Sequence, residues 1–360
     1  MKKYAFIAIL VLALFSGCKQ DFDLTADYKE TPIVYGLLNQ QDAVHYVRIQ
    51  KGYLIDGNAK IAAGITDSIY YPDVLTVKLV PYLNGNPNGT PFTLQRVENT
   101  GSLKDSGVFA YDPNVLYSFT GNLDPNRTYQ LQVTNTSNGY TFSSQRQEGK
   151  TFTDAGISLI QDFQIVTPAV RGQRINIANS TPFKIIWYAA GNAALYDVRV
   201  RFPYKEYDLT TNALLKDTFT DVYMVKSRDG EGINSGSTIF EEFNFTVLLN
   251  SLKSALNPNN QTQNVYRKFN ESRGMTFYFS AGGIELSKYI LIQSAQQGSI
   301  SSNEALPPYT NIKGGYGLFS SRYNKQFDSV LIDNKGLDSI ACSPLTSGLN
   351  FRKADGSSCQ

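Results

Sequence analysis

Histidine is almost absent from this chain of 360 residues, which contains only one, at position 45. Zinc enzymes and most general-base mechanisms use imidazole side chains. A single histidine excludes an HExxH metalloprotease. A Ser-His-Asp triad would have to use His45, and the chain has no G-x-S-x-G nucleophile sequence. We therefore expect His45 to be a structural or surface residue, and we predict no catalytic residues, no metal ligands and no cofactor.

Charged residues are also scarce, at 18% of the chain, against a usual ~25%. Lys and Arg together number 33, and Asp and Glu number 31. Lys2 and Lys3 lie in a segment that we predict is removed, which leaves 31 charges of each sign. This balance shows none of the basic excess that marks a nucleic-acid-binding protein, so no nucleic-acid partner is expected. Aromatic residues make up 12% of the chain and favour aromatic-rich strands joined by polar turns.

Long apolar runs are missing except at the N-terminus. Residues 4–15 form an unbroken apolar segment after the positive start Met1-Lys2-Lys3. A basic start, a short apolar run and the small residues Ser16-Gly17 are the parts of a secretory signal peptide. The run is too short for a transmembrane helix, which needs ~20 apolar residues. We predict that residues 1–17 are a signal peptide.

The sequence around Cys18 predicts a lipid anchor. Leu14-Phe15-Ser16-Gly17-Cys18 resembles a bacterial lipobox, although Phe15 replaces the usual Leu. The resemblance implies that Cys18 is acylated and becomes the N-terminus; several acyl chains give stable membrane binding. The alternative is an ordinary secreted protein with a chance cysteine. Residues 19–23 resemble the acidic export signals of Bacteroidota surface lipoproteins, which favours the cell surface over the periplasmic face of the outer membrane.

The other two cysteines lie near the C-terminus, 17 residues apart at positions 342 and 359. The exported location permits a disulfide between Cys342 and Cys359, with two free thiols as the alternative. Their spacing does not fit a CxxC metal site.

The strand pattern predicts a mainly all-β chain of two β-sandwich domains. About seven short strands and no convincing helix over residues 32–154 predict an immunoglobulin-like or fibronectin III-like domain. Residues 155–333 predict a second β-sandwich with one or two short helices. Residues 18–31 are assigned to the lipidated cysteine and a flexible tether, and residues 334–360 to a tail closed by the disulfide.

The second domain contains the clearest periodic pattern. Residues 196–202 alternate, so Tyr196, Val198, Val200 and Phe202 should face the core, and Asp197, Arg199 and Arg201 should face away. This strand and residues 183–188, which include Trp187, resemble the B–C region of fibronectin type III domains.

Three further elements of this part can be assigned. Thr246 is predicted to cap one helix, and Ser287 to cap a second that Gly298 closes. Residues 333–338 are expected to form a turn, because they lack the spacing of a calcium loop.

Residues 309–321 contain the string Thr-Asn-Ile-x-Gly-Gly-x-Gly-x-Phe. This string resembles the C-terminal signature of an uncharacterised Bacteroidota outer-membrane lipoprotein family, a domain of unknown function. The genes of that family often neighbour TonB-dependent receptors. The resemblance implies a non-catalytic accessory lipoprotein and gives no catalytic residues. Physically, Gly314, Gly315 and Gly317 indicate either a ligand-facing loop or, as we prefer, a turn into the last core strand.

Two weaker signals concern modification and binding. Ser68, Ser329 and Ser339 stand in Asp-Ser-aliphatic tripeptides, which resemble the O-glycosylation site of exported Bacteroidota proteins. Ser68 is the best of these because it lies in a predicted loop. As possible ligand or partner contacts we select Tyr204, Tyr207 and Tyr316 from the aromatic residues, although core positions are commoner for such rings.

Three functions remain open from the sequence. The first is an accessory subunit of an outer-membrane TonB-dependent receptor, acting by surface complementarity. The second is a stand-alone surface module that binds a glycan or a protein. The third is an enzyme, which we disfavour, since carboxylate-pair chemistry needs only two acids and cannot be recognised from sequence. An accessory should show an exposed apolar or aromatic patch, and an enzyme should show two or three acids converging in a cleft.

Overall fold

The computed structural model describes residues 29–53, 58–98, 107–110, 112–178, 182–256, 264–298 and 309–359. The predicted signal peptide, Cys18 and most of the predicted tether lie outside these residues. Strands predominate and the helices are few and short, which confirms the mainly all-β fold predicted from the sequence.

Strands and two short helices alternate in the first part of the chain. They are β1 (Pro32–Leu38), β2 (Val44–Lys51), α1 (Ala59–Ala63), α2 (Thr66–Ile69), β3 (Leu75–Leu83), β4 (Asn86–Pro87), β5 (Phe92–Glu98), β6 (Val115–Thr120), β7 (Thr128–Asn135), β8 (Thr141–Ser144), β9 (Arg146–Glu148) and β10 (Thr151–Thr153).

Longer strands and three helices make up the second part. They are β11 (Ile157–Ser158), β12 (Ile165–Thr167), β13 (Arg174–Ile175), β14 (Lys184–Tyr188), β15 (Leu195–Asp208), β16 (Leu214–Asp229), β17 (Thr238–Glu242), α3 (Phe245–Ala255), β18 (Val265–Phe269), β19 (Met275–Gly282), α4 (Ile284–Gly298), β20 (Ile312–Lys313), β21 (Tyr316–Ile332) and α5 (Asn334–Cys342), followed by a 3-10 turn (Ser347–Leu349).

One large sheet runs through the described residues in the order β16-β15-β19-β21-β1-β2-β6-β5-β3-β7-β8-β20. Strand β21 is an interior strand of this sheet and is 17 residues long. Residues 316–321 of β21 pair in parallel with β1, and residues 322–330 pair antiparallel with β19. The first half of β21 therefore joins the part of the sheet that begins with β1, and its second half joins the part that contains β19 and β15.

Two large hydrophobic cores lie on either side of this shared strand. The first core is built from strands β1 to β8 together with Ile157, Leu159, Ile312 and Phe319. The second core contains Trp187, the inward side chains of β15 and β19, and the buried leucines of α3. The first core thus draws on residues from both sides of the predicted boundary at 154, and the domain division stays a prediction.

The alternation predicted for residues 196–202 is confirmed by burial. Tyr196, Val198, Val200 and Phe202 are at most 1% exposed, whereas Asp197, Arg199 and Arg201 are half-buried on the other face. Helix α3 and the small sheet β12-β14-β17 cover the inner face. The outer face of β15 and β19 is left free to form a site.

Both predicted helices occur, but their predicted caps are wrong. Helix α3 is capped by Asn244, whose side chain accepts a hydrogen bond from the Val247 N–H at 3.0 Å, so Thr246 lies inside the helix. Helix α4 begins at Ile284, and the Ser287 N–H already donates to the Gly283 carbonyl. In each case a residue earlier in the chain takes the capping position.

The C-terminal tail is more regular than predicted. The turn expected at residues 333–338 is instead the start of α5, because the Asp333 side chain accepts from the Gly336 N–H at 2.7 Å and caps a helix. Cys342 at the end of α5 is joined to Cys359 by a disulfide.

The glycine string of residues 314–317 forms the turn into β21, as we preferred from the sequence. Gly317 has φ +113°, and a Cβ at this position would overlap the Val34 carbonyl of β1. The side chain of Asn311 both donates to the Phe319 carbonyl and accepts from its N–H, at 2.7 and 2.9 Å. Phe319 is fully buried. Close packing thus accounts for the glycine and the phenylalanine at these positions of the string.

Candidate binding site

The outer face of the large sheet carries a polar and aromatic surface built by four neighbouring strands. In the strand register, Arg199 of β15 stands between Tyr223 of β16 and Tyr278 of β19. Tyr278 is in turn paired with Gln326 of β21. Because paired residues of adjacent strands point to the same face, these four side chains form one row across the sheet.

This row and its neighbours enclose an open cavity of about 600 Å³. A cavity of this size can hold a small polar ligand such as a short oligosaccharide or peptide segment. It is lined by Gln41, Asp197, Arg199, Tyr223, Tyr278, Phe279, Ser280, Asn324, Lys325 and Gln326. We call it the sheet cavity.

The cations at the sheet cavity are fixed by stacking and by ion pairs. The Arg199 guanidinium lies 4.3 Å from the centre of the Tyr278 ring, and that of Arg201 lies 3.6 Å from the Phe219 ring. Asp221 accepts from Arg199 at 2.6 Å and from Arg201 at 2.8 Å. The hydrogen bond from Arg201 lowers the pKa of Asp221 below its usual value. The two arginines are therefore rigid, planar donors that share a single carboxylate partner.

The opposite wall of the sheet cavity is held by hydrogen bonds between segments. The Ser280 hydroxyl donates to the Asn324 side-chain oxygen at 3.0 Å. The Asn324 N–H donates at 3.3 Å to Gln41, which lies in the turn between β1 and β2. Lys325 forms an ion pair with Asp162 at 2.8 Å. The wall offers amide and hydroxyl groups and a paired cation.

Taken together, the sheet cavity suits an uncharged polar ligand. The ring of Tyr223 is 48% exposed and can contact an apolar face of a ligand. Planar amide and guanidinium groups around it can fix hydroxyl or peptide groups in direction. Lys325 has its own carboxylate partner and the two arginines share one, so a highly charged ligand would compete with existing ion pairs.

A second cleft has a volume of about 400 Å³. An enzyme is expected to show two or three acids converging in a cleft, and three acids line this one. Glu148, Glu231 and Glu285 all line it. Glu148 is 3.7 Å from Arg146, and Glu231 is 2.5 Å from Lys288. These two carboxylates are therefore engaged in ion pairs with residues nearby.

Glu285 differs from the other two acids because it is buried, with only 2% of its surface exposed. Its carboxylate accepts from the Gln147 N–H at 3.4 Å and from the Ser320 hydroxyl at 3.2 Å. Burial raises the pKa of Glu285 above its usual value. This carboxylate ties α4 to β9 and β21. Within the described residues, no group of three or more His, Cys, Asp or Glu could hold a metal ion.

None of the three tyrosines selected from the sequence lines the sheet cavity. Tyr204 is 6% exposed and its ring meets the edge of Phe351, so it is a core residue rather than an open platform. Tyr207 stacks on Tyr266 with ring centres 5.1 Å apart. Tyr316 is 49% exposed at the start of β21. Residue type alone did not find Tyr223 and Tyr278, because their placement depends on strand register.

The three serines proposed for glycosylation are half-buried in regular elements. Ser68 lies in α2, so the loop predicted for it is wrong. Ser329 lies in β21 with φ +59°, and Ser339 lies in α5, where its hydroxyl donates to the Lys335 carbonyl. Glycosylation of these residues stays a prediction.

His45 is a structural residue, as expected. It is 3% exposed, its ring stacks on Phe119 with centres 4.6 Å apart, and Nε2 is 3.1 Å from the Gly121 carbonyl. Burial lowers the pKa of His45, so the ring is neutral at pH 7.

No protein-family model matches this chain, and no curated protein matches it significantly. Among the described helices, none has the length and apolar character needed to cross a bilayer.

Proposed function

We propose that this chain is a non-catalytic lipoprotein of the bacterial cell envelope that binds a polar ligand in the sheet cavity. The observation that carries the proposal is the row of Tyr223, Arg199, Tyr278 and Gln326 across four strands. Strand pairing fixes the spacing of these side chains, and stacking fixes the arginine. A preorganised surface of this kind loses little entropy on binding.

The ion pairs and hydrogen bonds of the charged groups support binding rather than catalysis. A general acid or base must be free to exchange a proton with the ligand. Beside the sheet cavity, Asp221 is occupied by two arginines, and Lys325 of the cavity by Asp162. Asp197, the carboxylate that lines the cavity, accepts from the Ser227 N–H at 2.6 Å. Glu285 in the second cleft is buried and accepts hydrogen bonds from the protein.

The proposed location rests on the sequence. The lipobox at Cys18 supports an acyl anchor in the outer membrane, and the acidic residues after it favour the cell surface. An anchored protein at that location would present its cavity to material outside the cell or to a membrane partner.

A ligand screen tests this proposal. The processed protein is immobilised and exposed to a panel of neutral oligosaccharides and short uncharged peptides. We expect one class to be retained and then recovered chemically unchanged. Retention of no class would contradict the binding role, and release of a cleaved or modified product would contradict the non-catalytic one.

A second candidate function, accessory subunit of a TonB-dependent receptor, is favoured by a different surface. Tyr35, Tyr46 and Tyr316 are 43%, 45% and 49% exposed on the face of β1, β2 and β21 that points away from the first core. The register places Ile33 beside Tyr316 in this face. An exposed aromatic face is typical of protein interfaces.

Extraction from native outer membranes in mild detergent tests the accessory role. Stoichiometric co-purification of a TonB-dependent barrel, weakened by Tyr46→Glu, is the result expected of an accessory. Recovery of the protein alone would contradict this second candidate and leave the binding proposal unaffected.

A further inference from the structure

The described chain enters the large sheet at the start of β1. The Gly52 N–H donates to the Thr31 carbonyl at 2.7 Å, where β1 begins beside the end of β2. Next to this point, the Tyr53 hydroxyl donates to the Ala59 carbonyl at 2.9 Å. These hydrogen bonds hold helix α1 beside the start of β1.

A second segment is fastened to the same helix. The Ala110 N–H donates to the Ala63 carbonyl at 2.7 Å. A small separate core of Ile69, Tyr70, Ala110 and Val115 lies behind these segments. The helix and residues 107–110 thus form one surface layer over that core.

The outward side of this layer is apolar. Nine large apolar side chains of the described residues are more than half exposed, and four of the nine lie here. They are Ile61 at 66%, Ile65 at 51%, Val108 at 54% and Phe109 at 53%. We call these four residues the entry patch. Such a concentration of exposed apolar side chains marks an interaction surface rather than ordinary surface scatter.

The length of the preceding chain indicates what covers the entry patch. Lys29 follows Cys18 by 11 residues. A chain of that length cannot span more than about 40 Å. Acylation of Cys18 would therefore hold the start of β1 close to the bilayer, at a high effective concentration of lipid. Exposed Lys60 adjoins Ile61 of the patch and suits lipid headgroups.

We propose that the entry patch inserts its four apolar side chains into the lipid surface beside the acylated Cys18. The inference rests on the proposed lipid anchor. Insertion to a depth of ~5–10 Å is typical of apolar side chains at the headgroup boundary. It would orient the whole molecule, because Gln41 of the sheet cavity lies past the far end of β1. That strand has seven residues, so it carries the cavity about 20 Å away from the bilayer.

Depth-dependent fluorescence quenching tests the proposal with the native lipidated protein. The protein is reconstituted into phosphatidylethanolamine and phosphatidylglycerol vesicles after labelling Phe109→Cys with an environment-sensitive dye. Leu215→Cys and Phe240→Cys serve as matched controls, since these side chains are 52% and 53% exposed on other parts of the molecule. Spin-labelled lipid is expected to quench the dye at position 109 at least about threefold more strongly than the control dyes.

A further variant checks that the patch itself causes the contact. Ile61→Ser combined with Ile65→Ser should reduce quenching at position 109 severalfold while the protein still floats with the vesicles. Flotation with equal quenching at all three positions would overturn the inference and leave the lipoprotein proposal standing. A blue-shifted dye without lipid quenching would mean that protein covers the patch, which also overturns it. Failure to float would remove the anchor and overturn both proposals.

Discussion

At the scale of one residue, Glu285 is a buried carboxylate that links separate elements of the fold. Its carboxylate is buried between α4, β9 and β21 and accepts two hydrogen bonds. Burial nevertheless raises its pKa. An unfolded glutamate titrates near ~4.3. The folded protein therefore binds a proton more tightly than the unfolded chain, and its stability falls as the pH rises between the two pKa values.

We predict that Glu285→Gln removes this pH dependence. Relative to the native protein, the variant should become steadily more stable as the pH rises from ~4 through the raised pKa of the folded state. Urea unfolding at a series of pH values measures the difference in the free energy of unfolding between the variant and the native protein. A difference that is constant with pH would contradict the prediction, whatever its size at one pH.

Gly317 is the residue on which the pairing of β1 and β21 depends most directly. Its φ of +113° is unfavourable for other residues, and a Cβ there would meet the Val34 backbone. The parallel strands approach closely because this position has no side chain.

We predict that Gly317→Ala destabilises the protein by about 3 kcal/mol or more, since backbone strain and overlap add. Gly139→Ala is the matched control. Gly139 also has positive φ, +74°, but its Cβ would meet nothing within 4 Å. The control should lose only about 1 kcal/mol. Similar losses in thermal unfolding of the two variants would show that close packing at Gly317 is unimportant.

At the scale of elements, β21 makes the two cores dependent on each other. Phe319 belongs to the first core, and Val330 of the same strand belongs to the second. No flexible linker separates them along this strand. Loss of the first core should therefore expose the second.

Trp187 allows this coupling to be measured, because it is the only tryptophan and lies in the second core. We predict that Phe319→Ala costs about 3–5 kcal/mol and that Trp187 fluorescence reports the same shifted midpoint as circular dichroism. Leu252→Ala in the second core is the positive control. A Trp187 transition left unmoved by Phe319→Ala would mean that the cores unfold separately.

Elements with strong local patterns could be predicted, whereas those set by tertiary contacts could not. The alternation of residues 196–202 gave the buried face of β15 correctly, because period-2 burial is a local property. The cap of α3 was misplaced because Asn244 and Thr246 are both competent caps, and packing selects between them. Tyr223 and Tyr278 meet only through strand register, which joins residues far apart in the chain.

At the scale of the whole molecule, the entry patch and the sheet cavity lie toward opposite ends of β1. The entry patch lies where the chain begins its fold, and Gln41 of the sheet cavity follows the other end of that strand. If the patch faces the bilayer, the cavity faces away from it. The equal numbers of acidic and basic residues after the predicted signal peptide fit a protein whose ligand is recognised by shape and hydrogen bonding.

The most direct test of the binding role is a titration of the ligand retained in the screen against three forms of the protein. Tyr223→Ala should weaken binding about tenfold or more, which corresponds to ~1.4 kcal/mol. Tyr46→Ala should bind like the native protein, because Tyr46 is similarly exposed, at 45%, but lies on β2 and does not line the sheet cavity. Equal affinity of all three forms would contradict the central claim that the sheet cavity is the binding site.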